Sequence, residues 1–270
     1  MEVLILKDEE EVANQGALLI AELLKKKPAA VLGLATGRTP ILLYQKLIDY
    51  YERKEISFAE VTTFNLDEYF GIPGSHPASY RHFMQENLFN RIDIETCNTH
   101  LPDSDGVNPR MVGPQYESKI KEAGGIDLQI LGIGRNGHIG FNEPSSSLAS
   151  RTRIKTLTET TIGDNKGVEE DYELPDMAIT MGIGTITDAQ RILLIATGES
   201  KAIAIRDALE GPISAMNPAS ALQSHQYVTV LLDEAAASEL ALKDYYRLVR
   251  QKSEDIKAKF GNFYEIDLEI

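Results

Sequence analysis

The stretch Ala30-Val31-Leu32-Gly33-Leu34-Ala35-Thr36-Gly37-Arg38-Thr39-Pro40 joins a short apolar run to a glycine-bearing turn and then to a proline that opens a helical pattern. An apolar run that does not alternate with polar residues suits a strand of a parallel sheet covered on both faces. Pro40 suits the first turn of a helix, where its missing N–H costs nothing. Similar runs recur at 3–5, 61–64, 128–133, 177–181, 192–195 and 228–232. Between several of them, residues 9–25, 40–51, 115–121, 200–209 and 235–251 carry helical spacing. This alternation predicts an α/β fold, doubly wound and Rossmann-like, with a mostly parallel sheet and helices on both faces. No low-complexity linker or fixed-period repeat interrupts it, so residues 1–270 read as a single domain.

Two connections are longer than the fold requires. Residues 68–79 carry Gly71, Pro73, Gly74 and Pro77, and residues 144–175 are polar and charged. Open α/β sheets bind ligands beyond the carboxyl ends of their strands, so both loops are expected to wall a site, the second as a lid. The chain has 27 basic and 41 acidic residues, a net charge of −14, which argues against a nucleic-acid partner. The one cysteine, Cys97, cannot close an intramolecular disulfide. Met1-Glu2-Val3-Leu4-Ile5 is not a signal sequence, and no apolar run reaches the roughly 20 residues of a membrane helix. A cytoplasmic protein without a membrane partner is expected.

Three constellations could carry chemistry. In the first, Thr36, Gly37, Arg38 and Thr39 offer hydroxyls, a tight turn and a helix N-terminus, the ingredients of a phosphate cradle. Alone, the segment reads equally as a strand-to-helix turn capped by Thr39. It has neither P-loop nor GxGxxG spacing, which disfavours ATP and NAD. In the second, a strand ends at Asn65-Leu66-Asp67-Glu68-Tyr69, where a carboxylate would face the crevice and burial would raise its pKa toward that of a useful base. Alone, an Asp capping the next helix, or two adjacent acids on the surface, is the stronger reading. The third is Gly132-Ile133-Gly134-Arg135-Asn136-Gly137-His138-Ile139-Gly140-Phe141-Asn142-Glu143-Pro144, a glycine-lined turn presenting an imidazole and a carboxylate. One histidine with two acids makes a poor metal site, and no Gly-x-Ser-x-Gly elbow occurs. Proton transfer is the chemistry that remains.

Segments 32–40, 63–69, 76–80, 131–144, 146–156 and 211–222 together resemble the glucosamine-6-phosphate deaminase family in order and spacing. The resemblance implies a modified doubly wound fold and a ring-opening aldose-ketose isomerisation that expels the 2-amino group, without metal or cofactor. It further implies that Asp67 moves a proton between C2 and C1, that His138 shuttles the ring-opening proton, and that Glu143 orients His138. Asn136 stands where the family often has Asp; an amide cannot balance an imidazolium by charge, so more of that task falls on Glu143. Thr36, Gly37, Arg38, Thr39 and Lys201 match the substrate phosphate site.

Ser146, Arg153, Lys155 and Thr156 match an allosteric site for an activator, N-acetylglucosamine 6-phosphate, which implies a homo-oligomer, hexameric in allosteric members. The chain departs from the family in the lid, where Lys166 and Gly167 stand near a usual phosphate-binding arginine. Rival readings are a galactosamine-6-phosphate deaminase, a 6-phosphogluconolactonase-like hydrolase and a non-catalytic sugar-phosphate-binding regulator.

Overall fold

The computed structural model describes residues 1–158, 163 and 174–260. Strand β1 (Glu2–Leu6) leads into helix α1 (Glu9–Lys26). Asp8 caps that helix by accepting the Glu11 N–H, with Glu9, Glu10 and Glu11 at the positive end of the dipole and Lys25 and Lys26 at the negative end. Val12, Ala13, Ala17, Ile20, Ala21 and Leu24 recur every three or four residues and form its buried face. Next come β2 (Val31–Leu34), α2 (Arg38–Glu52), β3 (Thr62–Asn65), β4 (Asp67–Tyr69), α3 (Tyr80–Asn87), β5 (Thr99–His100), α4 (Val112–Glu122) and β6 (Leu128–Leu131). The chain continues through β7 (Arg153–Thr156), β8 (Met177–Thr180), α5 (Ile183–Thr187), β9 (Arg191–Ala196), α6 (Ala202–Leu209), β10 (Val228–Asp233) and α7 (Lys243–Phe260).

Seven strands form one sheet in the order β1-β10-β9-β6-β2-β3-β5, and their neighbours pair in parallel. From β2 the chain moves outward to β3 and β5, then returns to place β6 on the other side of β2. The switch point therefore lies between β2 and β6, where a doubly wound sheet opens its ligand crevice. Alternate residues feed two cores: Ile192, Leu194, Val230 and Leu232 pack on one face with α4 and α6, while Leu193, Ile195 and Leu231 pack on the other with α1 and α2. Burying each such side chain contributes roughly 1.5–3 kcal/mol.

A small antiparallel sheet, β4-β8-β7, stands apart. It corrects the sequence reading at 177–181, which is a strand but not of the parallel sheet. Within 144–175, Arg153–Thr156 is paired strand where the sequence reading had loop. Lys166 and Gly167 lie outside the described residues. The helix expected at 235–251 starts instead at Lys243, because the Glu210 carboxylate accepts the N–H groups of Ala241 and Leu242 just ahead of it. Among the described residues, no helix is long and apolar enough to cross a membrane.

Candidate active site

Asp67 opens β4, directly after β3 has delivered the chain to the carboxyl edge of the large sheet. Leu66 donates its N–H to the Leu34 carbonyl and accepts one from Met181, so Asp67 is held between the two sheets. Its side chain is buried, and desolvation together with the charge of Glu68 pushes its pKa up to about 8. Glu68 has a different task. Its oxygens accept the N–H groups of Tyr69, Tyr80 and Arg81, which fixes the start of α3. Burial still raises its pKa, against the pull of those bonds. Asp67 does not cap the next helix: Ser79 is its cap and Glu68 takes the Tyr80 and Arg81 N–H groups, which leaves Asp67 to face the glycine-rich turn after β6.

That turn is built by its glycines. A Cβ at Gly134 would lie 2.2 Å from Cε1 of His138, so the imidazole lies against bare backbone. Gly137 has φ +82, and a Cβ there would lie 2.4 Å from Asn217 Oδ1. Asn136 donates through Nδ2 to Glu143 Oε2 at 2.7 Å and accepts the His138 N–H at 3.2 Å. Glu143 Oε2 also lies 3.6 Å from His138 Nδ1, an ion-pair distance that a small movement would turn into a hydrogen bond. Thr158 donates to the other oxygen of Glu143 at 3.3 Å. A Cβ at Gly140 would lie 3.4 Å from Asp67 Oδ2, which puts the Asp67 carboxyl against the same turn. Asp67, Asn136, His138 and Glu143 therefore belong to one constellation.

At the carboxyl end of β2, Gly37 takes φ +102 and precedes Arg38, the first residue of α2. The cap is Gly37, not Thr39, and this glycine offers no side chain to the first N–H groups of the helix. Buried Tyr44 donates to the Ala35 carbonyl at 2.5 Å and fixes this loop. Thr36 interacts with the Tyr80 hydroxyl, whose pKa burial pushes well above its ordinary range. Lys201 ends the 3-10 turn Glu199–Lys201 after β9, on the same edge of the sheet as the loops after β2 and β6. Arg153 and Lys155 share one face of β7, whereas Thr156 falls on the other, and Ser146 is buried with its hydroxyl unbonded among the described residues. The sequence reading missed Thr180 and Asn142, which hold the turn, and Tyr80. Asn142 and Tyr80 lie inside segments the sequence singles out, but their roles did not show there, because Asn142 reaches Met181 and Thr180 reaches Phe141 across 39 residues.

Residues 7–231 match the family model described as glucosamine-6-phosphate isomerases/6-phosphogluconolactonase. A glucosamine-6-phosphate deaminase of Shewanella loihica is 56% identical over 263 residues, covering 97% of this chain and 98% of that protein. One from Hahella chejuensis is 58% identical over 254 residues, covering 94% and 97%. A solved monomeric glucosamine-6-phosphate deaminase superposes with a TM-score of 0.85 at 43% identity, covering 88% of this chain and all of that one. The 6-phosphogluconolactonase of Trypanosoma brucei, at 20% identity, a TM-score of 0.71 and coverage of 89% and 98%, shares the fold. With a family match over most of its length and relatives aligned nearly end to end, the chain belongs to the glucosamine-6-phosphate isomerase/6-phosphogluconolactonase family.

Proposed function

We propose that this protein is a cytoplasmic enzyme that opens the ring of glucosamine 6-phosphate and converts it, with one water, to fructose 6-phosphate and ammonia. The observation that carries the reading is the buried Asp67 carboxyl, held at about 8 beside the turn that presents His138 and Glu143. A base with a pKa near working pH combines enough ionised form with enough driving force to take a carbon-bound proton. His138 moves the proton between O1 and O5 as the ring opens, with Glu143 orienting it and Asn136 holding Glu143. Asp67 then takes the C2 proton and returns it at C1. The C2 amine becomes an imine, and water replaces it to leave the C2 ketone and ammonia.

The substrate phosphate sits on Thr36, Gly37, Arg38 and Thr39 with Lys201 alongside. The uncapped N-terminus of α2 supports this, since unpaired N–H groups and the helix dipole attract an anion. N-acetylglucosamine 6-phosphate is the proposed activator at Ser146, Arg153, Lys155 and Thr156, within a homo-oligomer. The described bonds of Arg153 go to neutral oxygens, of Asn142 and Arg151, so its charge is open to an anion.

The test is to measure ammonia and fructose 6-phosphate together from glucosamine 6-phosphate. The galactosamine epimer and 6-phosphogluconolactone are run as alternative substrates. Equal amounts of the two products, formed fastest from the gluco sugar, are expected. Acid release from the lactone without ammonia from either amino sugar would reject the reading.

A further inference from the structure

The spacing of His138 and Glu143 is set by the turn between them. Asn142, immediately before Glu143, is fully buried. Its Nδ2 donates to the carbonyls of Ile139 at 2.9 Å and Met181 at 2.8 Å, and its backbone N–H also goes to Ile139. Its Oδ1 accepts from Arg153 Nη1 at 2.8 Å. One carboxamide thus closes the turn on itself, ties it to the end of β8 and takes a bond from β7. Phe141 adds a second tie, donating its N–H to Thr180 Oγ1 at 3.0 Å. The guanidinium also fixes which way the amide points. Were it flipped, the NH2 group would face Arg153 and the oxygen would face two carbonyls, leaving every partner unsatisfied.

We infer that Asn142 is a positioning residue for ring opening: its carboxamide, oriented by Arg153, holds the 139–142 turn and thereby the gap between His138 and Glu143. The inference rests on the deaminase reading. It assigns Asn142 no contact with substrate. Misplacing an acid-base pair by a fraction of an ångström slows the step it serves far more than it weakens binding. Asn142 variants should therefore lose kcat, keep KM, and make ring opening slower than transfer of the C2 proton.

The experiment compares Asn142→Asp and Asn142→Ala with wild type on ordinary and C2-deuterated glucosamine 6-phosphate. We expect kcat/KM to fall 10- to 100-fold with KM within about threefold. We also expect the C2 isotope effect on kcat/KM, above unity in wild type, to drop toward unity, because the slow step has moved ahead of C–H cleavage. A variant that merely lowers the fraction of folded enzyme scales the rate and leaves the isotope effect alone. Unchanged turnover, or a fall with the isotope effect retained above unity, overturns the assignment. If neither Asn142 variant folds, Arg153→Leu and Arg153→Lys decide. Lys, whose ammonium ends only one bond short of the Arg153 Nη1 position, can still donate toward Asn142 Oδ1 and should retain several-fold more activity than Leu, with the same isotope pattern, whereas equal losses overturn the inference. If wild type itself releases no ammonia, the deaminase reading fails first, and these comparisons are not what failed.

Discussion

In the proposed mechanism Asp67 carries the carbon-bound proton, and its environment makes two measurable demands. With a folded pKa of about 8, the carboxyl is mostly protonated at neutral pH, so kcat/KM should climb with pH and level off above about pH 8. Asp67→Asn should remove at least a thousandfold of turnover. The same group acts on stability with a definite sign. Its folded pKa lies above the unfolded value, so between about pH 4 and pH 8 the folded state holds a proton that the unfolded state has released. Stability then falls as pH rises through that window, by on the order of 1 kcal/mol per pH unit. Asp67→Asn should be more stable than wild type, by a margin that widens from pH 4 and is constant above pH 8, as urea melts across pH would record. A margin independent of pH would mean that the carboxyl is not buried in its protonated form. Gly134 makes a complementary demand. Its Cβ position overlaps the His138 ring, so Gly134→Ala must push the imidazole off Glu143, costing roughly 100-fold in kcat with little change in melting temperature.

At the scale of elements, the short strand β4 and helix α3 are joined through Glu68, which stitches both to one carboxylate. Glu68→Gln replaces one accepting oxygen with an NH2 group facing an N–H, which should cost about 1–3 kcal/mol. It also removes the charge that helps to raise Asp67, so the midpoint of the pH–rate profile should move to lower pH. Melting temperature and pH profile should thus change together in this one variant; a shift in only one would separate the two roles. The same elements mark what the sequence could convey. The parallel strands were legible because strands covered on both faces must be apolar throughout, as at β9 and β10. The site loops were legible because glycines and acids stand out after such strands. β4 reads Asp-Glu-Tyr and β7 reads Arg-Ile-Lys-Thr, patterns that suit a turn or a charged loop as well as a strand. What makes them strands is their pairing across β8, 100 residues or more from β4 in sequence. Helix α7 was displaced for a similar reason: Ala235 to Leu242 has helical composition, but Asp233 and Glu210 claim N–H groups at its two ends.

For the molecule as a whole, a net charge of −14 must coexist with an anionic substrate, so binding cannot rest on the average field. It has to rest on the switch point, where the loops after β2, β6 and β9 share one edge and the uncapped α2 terminus supplies N–H groups and a positive dipole end. Because a ligand held only by the folded state stabilises the entire fold, this local site has a global readout. Inorganic phosphate at 100 times its dissociation constant should add about 2.7 kcal/mol, and so raise the melting temperature by roughly 5–10 °C for a chain of this size. Phosphate also stabilises proteins generally, by exclusion from their surface, and that effect does not saturate and does not depend on any one side chain. The two are separated by titrating phosphate against wild type, Thr39→Val and Lys201→Ala at fixed ionic strength. A saturable rise in wild type that shrinks in both variants places the anion at the α2 terminus with Lys201 beside it. An equal, unsaturating rise in all three would mean that the cradle does not hold phosphate by itself, and that the sugar and the closed turn around His138 must supply the affinity.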